Sequence, residues 1–318
     1  MTNRTYPIFL SSWSIKDQLS SGRIRITQLP QFAQSHGFDG VEFVDRHFPC
    51  LSSDFRNQLI SAVKESDIAT SLGLTTDFTV NSKEYQEKQI DYVLLMIDFA
   101  QQLGASSVRI LLGGDDFILQ KWLKKLFRKK KEASTLNTIK KQKLITSWLQ
   151  RTPFFHVLHK LTIQSQRPMP LNNPEIKGNI LHSLEKILIK ADQLEAPLAI
   201  ENHWGVSTHT ETILDIISHF QSSFLGTCPD LGNFTIHQDR YIEIKKLLPF
   251  AKEIHAKTYR FNHEGEEKTI NYKKCINLIK SSSFRGPLVV EYEGGGNKIE
   301  KSLQTRDLIL KYLLKMEL

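Results

Sequence analysis

The chain of 318 residues has room for one large α/β barrel, which takes about 250 residues, and its 40% hydrophobic and 24% charged content is that of an ordinary globular protein. Its net charge of +8 would suggest a nucleic-acid partner if it were spread over the fold, but ten Lys or Arg residues against the single acid Glu132 fall between Lys121 and Lys143, so the excess belongs to that segment. Cys50, Cys228 and Cys275 form no CxxC pair, the first residues hold no apolar signal core and no apolar run approaches the ~18 residues of a membrane span, which together lead us to expect a soluble cytoplasmic protein.

In chain order, Ile8-Phe9-Leu10 reads as a first strand with Ser11-Ser12-Trp13 as its exit. A short helix over Gln28 to Ser35 follows, and Gly37-Phe38-Asp39-Gly40-Val41-Glu42-Phe43 turns into a second strand with Glu42 where it emerges. Asp54 to Glu65 has a capping acid and an apolar stripe, as an amphipathic helix requires. Ile68 to Leu74 reads as strand three, Lys83 to Leu103 as a long helix stopped by Gly104, and Ser107 to Leu112 as strand four closed by Gly113-Gly114. From Asp115 to Pro174 the alternation stops, and it resumes with a helix from Ile176 to Leu194. Strands ending at Glu201, Asp230, His255 and Glu291 then alternate with helices near 211–220, 241–248, 272–281 and 301–316. Eight strands and about eight helices predict a (β/α)8 TIM barrel, one domain over 1–318, with an insertion at 115–174 after strand four.

The four late strand runs, Leu198 to Glu201, Leu225 to Asp230, Lys252 to His255 and Leu288 to Glu291, each end in a metal-ligand residue type. Pro197-Leu198-Ala199-Ile200 before Glu201 and Pro287-Leu288-Val289-Val290 before Glu291 are strands buried on both faces, where an acid is tolerable only at an exit with a cation or a partner waiting. Spacings of 29, 25 and 36 residues leave room for one crossover helix each, so four successive parallel strands could hold one ion. Three carboxylates and one imidazole suit Mn(II) first, with Mg(II), Co(II) or Zn(II) as alternatives. Lys257 follows His255 by two residues and points the same way in an extended strand, where its ammonium can hold a substrate oxygen; His203 has the same relation to Glu201. Trp13 and Trp204 follow strand ends and would form an apolar wall against a sugar ring or simply cover the barrel.

Ile200-Glu201-Asn202-His203, Pro229-Asp230-Leu231-Gly232-Asn233, Ile254-His255-Ala256-Lys257 and Val290-Glu291, in that order, resemble the xylose isomerase-like barrel superfamily and its sugar phosphate isomerase/epimerase branch. The second-strand segment ending in Glu42 resembles it too. The resemblance implies that Glu201, Asp230, His255 and Glu291 hold one divalent metal and that Glu201 and Glu291 also move protons. It implies an isomerase or epimerase that works through an enediolate of a sugar or related polyhydroxy carbonyl compound. Glu42, His203 and Asn233 would line the substrate; Asn233 stands where the family often has histidine. The extra histidines of the trinuclear-zinc endonucleases in the superfamily are replaced here by Thr75-Thr76-Asp77, Gly113-Gly114 and Asn233, and the glycine-rich segment after the His-x-Lys strand by Asn262 to Lys268.

Within the insertion, Phe117, Ile118, Trp122, Leu123, Leu126 and Phe127 recur among lysines at helical spacing, a basic amphipathic helix. It reads as a lid, or as a docking segment for an anionic membrane or an acidic partner. Dehydration of a polyol ketone uses the same groups as isomerisation; a non-catalytic barrel that binds a partner through the basic segment is the alternative from another class, and a metal-dependent nuclease ranks third.

Overall fold

The computed structural model describes residues 5–114 and 171–314. Eight strands lie parallel to their neighbours: β1 (Ile8–Ser11), β2 (Gly40–Val44), β3 (Ala69–Gly73), β4 (Ala105–Ile110), β5 (Leu198–Glu201), β6 (Leu225–Cys228), β7 (Ile254–Thr258) and β8 (Leu288–Tyr292). Their order around the sheet is β6-β5-β4-β3-β2-β1-β8-β7. Parallel bridges Thr227↔Ala251 and Asp230↔His255 join the two ends, so the sheet closes into a (β/α)8 barrel, as the alternation predicts.

The helices among the described residues are α1 (Lys16–Ser20), α2 (Leu29–Ser35), α3 (Ser53–Ser66), α4 (Lys83–Leu103), α5 (Pro174–Gln193), α6 (Thr210–Phe220), α7 (Arg240–Leu247), α8 (Tyr272–Lys280) and α9 (Lys298–Leu314). Local chemistry sets their ends: the Ser52 and Ser82 hydroxyls accept from the first turns of α3 and α4, Asn173 and Pro174 start α5, and Gly104 ends α4 in the left-handed region at φ 66°. Ile8, Leu10, Val41, Leu72, Val108, Ile200 and Leu288 join the apolar layer between sheet and helices. The opposite strand parity, Ser11, Glu42, Ser71, Arg109, Glu201, His255 and Lys257, is buried and polar, so the inside of the barrel is where chemistry collects.

Three boundaries differ from the sequence reading. The segment after Trp13 contains the short helix α1. Strand six stops at Cys228, because Pro229 has no amide to continue a ladder, and Asp230 stands just beyond it. Strand seven begins at Ile254 and runs on to Thr258, so His255 lies near its start and Lys257 within it. The insertion at 115–174 lies outside the described residues apart from Leu171 to Pro174, and so does the amphipathic pattern around Trp122. No helix among the described residues is long and apolar enough to cross a membrane.

Candidate metal centre

The inward parity of β5 to β8 brings Glu201, Asp230, His255 and Glu291 together at the C-terminal end of the barrel. One ligand atom from each lies within 4.8 Å of the others, and all four residues are buried. Nδ1 of His255 is 3.0 Å from Oε2 of Glu291, 3.8 Å from Oε1 of Glu201 and 4.0 Å from Oδ2 of Asp230. Donors held at bonds of about 2.0–2.3 Å around one ion are separated by such distances, and the hard donor set matches Mn(II) or Mg(II).

The electrostatics point the same way. Burial pushes Asp230 up to about 7, Glu291 and Glu201 adding to the effect, even though Lys257 pulls in the opposite direction. Three carboxylates share one closed volume, and a cation would relieve them. Burial disfavours charge on Glu291 as well, but Lys257 and His255 outweigh it and hold that carboxyl low. Burial likewise disfavours an imidazolium, yet the carboxylates of Glu42 and Glu201 hold His255 well above the usual histidine range.

Lys257 stands within the cluster, as its parity with His255 predicts. Its Nζ is 2.8 Å from Oδ2 of Asp230, 3.0 Å from Oδ1 of Asn233 and 3.4 Å from Oε2 of Glu291. Asn233 donates from Nδ2 to Oε1 of Glu201 at 3.0 Å and to Oδ2 of Asp230 at 2.9 Å, which ties the two carboxyls together. Asp230 is fixed from the other side by the amides of Gly232 at 2.7 Å and Asn233 at 3.1 Å. Trp13 reaches the rim, donating from Nε1 to Oε1 of Glu293 at 2.9 Å, while Nζ of Lys16 lies 4.0 Å above its ring. His203 and Trp204 are half-buried on the loop after β5, ring centroids 6.2 Å apart. Glu42 has no exposed surface and lies behind His255, with Oε1 3.1 Å from Nε2.

Three further residues complete the centre. Arg109 on β4 places Nη1 3.1 Å from Oε2 of Glu201 and Nε 3.3 Å from Oε1 of Glu42. Asn202 accepts the Asp230 amide on Oδ1 at 2.6 Å and donates from Nδ2 to the Asp230 carbonyl at 3.1 Å. Glu293 puts Oε2 3.8 Å from Nζ of Lys257. Sequence signals existed for two of them: Arg109 is a lone charge in an apolar strand, and Glu293 repeats Glu291 at period two. Cys228 and Glu253 also lie close to His255. There Nε2 already faces Glu42, and burial pushes the Cys228 thiol far above the thiolate range.

A family model for the xylose isomerase-like TIM barrel matches residues 30–312. No curated protein matches the chain in sequence. Among solved structures, the chain is similar to a D-tagatose 3-epimerase-like protein at 14% identity and TM-score 0.66, over 96% of this chain and 97% of that one. A xylose isomerase-like TIM barrel protein from Mycobacterium smegmatis in complex with magnesium aligns at 17% identity and TM-score 0.64, over 97% of both chains. D-allulose 3-epimerase from Methylomonas sp. in complex with D-allulose aligns at 11% identity and TM-score 0.61, over 96% of this chain and 97% of that one.

Proposed function

The chain belongs to the xylose isomerase-like TIM barrel family, and from that premise we propose that it is a divalent-metal-dependent isomerase or epimerase of a sugar or related polyhydroxy carbonyl compound. The observation that carries the reading is the convergence of Glu201, Asp230, His255 and Glu291 within 4.8 Å at the C-terminal end of the barrel, where enzymes of this architecture carry their chemistry. The likeness to a D-tagatose 3-epimerase-like protein and to a D-allulose 3-epimerase supports the substrate class, and the magnesium complex supports a hard divalent ion, with Mn(II) the ion we favour.

When bound, the ion supplies Lewis acidity toward a carbonyl and the neighbouring hydroxyl of the sugar. One of Glu201 and Glu291 takes the proton from the carbon next to the carbonyl, and the substrate's electron pair becomes that of an enediolate. The other carboxyl returns a proton, to the opposite face of the same carbon in epimerisation or to the neighbouring carbon in isomerisation. Lys257, held well above the ordinary lysine range by Asp230 and Glu291 although burial opposes its charge, is a fixed cation for the developing oxyanion. Asn233 positions Glu201 and Lys257, and Trp13 with Trp204 offers apolar surface to the sugar. The test is solvent exchange: with Mn(II) and a panel of ketopentoses and ketohexoses in D2O, deuterium should enter the carbon next to the carbonyl. Glu291→Gln should retain metal and lose exchange. Failure of every ketose to exchange with the metal-loaded wild type would overturn the reading.

A further inference from the structure

We propose that the first half of the barrel, which supplies none of the four ligand residues, supplies their support: Glu42 on β2 and Arg109 on β4 are positioning residues that orient His255 and Glu201 toward the ion. The proposal rests on the metal-centre reading above.

An imidazole can present only one lone pair, and the hydrogen bond made by its other nitrogen decides which. Here Nε2 of His255 lies 3.1 Å from Oε1 of Glu42, and Nδ1 faces Glu201, Asp230 and Glu291. Glu42 is itself fixed. Its Oε2 accepts the Ser11 hydroxyl at 2.5 Å, the two residues being register partners on β1 and β2. Its Oε1 also faces Nε of Arg109 at 3.3 Å, so the carboxyl is held from two sides behind the ring. A carboxyl fixed at 3.1 Å therefore stands behind Nε2, placed to hold the ring's remaining proton when an ion takes the lone pair of Nδ1.

Arg109 does the corresponding work for Glu201. Its Nη1 holds Oε2 at 3.1 Å, which leaves Oε1 turned toward Asn233 and His255. The same guanidinium reaches Oε1 of Glu42 through Nε at 3.3 Å, so one buried ion pair serves both ligands. The β3 backbone makes room for it at Gly73, where an added Cβ would lie 2.2 Å from Nη2 of Arg109 and 2.6 Å from Oε1 of Glu42. Stability gives little reason to keep such a pair, since well-packed apolar residues commonly replace a buried ion pair without loss. Its contacts give a better reason, because they fall on the two ligands.

The test is the Mn(II) affinity of wild type and Glu42→Gln, by electron paramagnetic resonance titration with chelator competition, beside the melting temperature of the metal-free proteins. The variant keeps size and loses the anion. We expect its Kd to weaken ~10- to 100-fold, with Arg109→Lys weakened in the same sense. A Kd within twofold of wild type overturns the proposal, whatever happens to the melting temperature, since a merely structural role would lower only the latter. If Glu42→Gln does not fold, nitrogen-15 spectra of Zn(II)-loaded wild type decide: the metal-bound histidine should carry its proton on Nε2, and ligation through Nε2 would overturn the proposal. Wild type that binds no metal would instead overturn the reading on which this one rests.

Discussion

At the scale of single residues, the barrel interior mixes groups whose charge is balanced with one whose charge is not. Glu253, fully buried below His255, accepts the Ser107 hydroxyl on Oε2 at 2.9 Å, and its Oε1 has no hydrogen-bond partner among the described residues. Burial, with Glu42 adding to it, pushes this carboxyl up to about 7 from an ordinary 4.5. Between those two values the folded protein holds a proton that the unfolded chain releases, so this group's contribution to stability falls as pH rises from about 4.5 to about 7. Glu253→Gln should therefore stabilise the metal-free protein at pH 8 by roughly 3 kcal/mol, and most of the gain should fade by pH 5, in urea unfolding at both values. A gain that persists at pH 5 would show that charge is not its cause. Lys257 is the opposite case, a cation with three oxygen partners within 3.4 Å. Replacing it with Met should leave metal bound and slow solvent exchange into the sugar by about 10²- to 10³-fold, read at saturating metal. An exchange rate equal to that of wild type would remove Lys257 from the oxyanion role.

At the scale of elements, the exits of the strands carry the site, and their backbone is demanding. Gly113, just past β4, has φ 96°, and a Cβ there would fall 1.9 Å from Oδ1 of Asp77 and 2.7 Å from its Cα. Its carbonyl accepts the Val206 amide at 3.1 Å, linking the exit of β4 to the loop after β5. Gly113→Ala should lower unfolding free energy by about 2 kcal/mol or more by denaturant titration, since both conformation and space are refused. The sequence made the strands that precede Glu201 and Glu291 legible because an acid after an unbroken apolar run has few explanations. It made β7 less legible because Glu253, His255 and Lys257 all face the polar interior, so the strand alternates like a surface segment and its apolar pattern does not mark its end at Thr258. Arg109 and Glu42 are 67 positions apart, and no pattern in the sequence pairs them; the pairing of β2 and β4 with β3 between them brings them together at Gly73. Asn202 carries no signal in the sequence because its partners, the amide and carbonyl of Asp230, lie 28 positions away.

At the scale of the whole molecule, the barrel closes at one weak seam, and the candidate metal centre spans it. β6 and β7 share no continuous ladder; they are joined by the bridges Thr227↔Ala251 and Asp230↔His255. Three amides carry the join: Lys252 to the Thr227 carbonyl at 2.9 Å, His255 to the Pro229 carbonyl at 3.1 Å, and Leu231 to the His255 carbonyl at 3.0 Å. Pro229 deprives the β6 side of a donor where the ladder would continue. An ion held by Asp230 from one side and His255 from the other would cross-link the seam, so local opening there should require its release. Metal at 100 times its Kd should therefore add up to about 2.7 kcal/mol to the opening free energy of those three amides. Hydrogen exchange under native conditions checks this, with the amides of the continuous β2–β3 ladder, which bears no ligand, as the internal reference. Slowing concentrated at Leu231, Lys252 and His255, and absent in an Asp230→Ala/His255→Ala double variant, is the expected pattern. Equal slowing across both ladders would mean that the ion acts only on global unfolding. No slowing at the seam while metal is bound would mean that Asp230 and His255 do not share it.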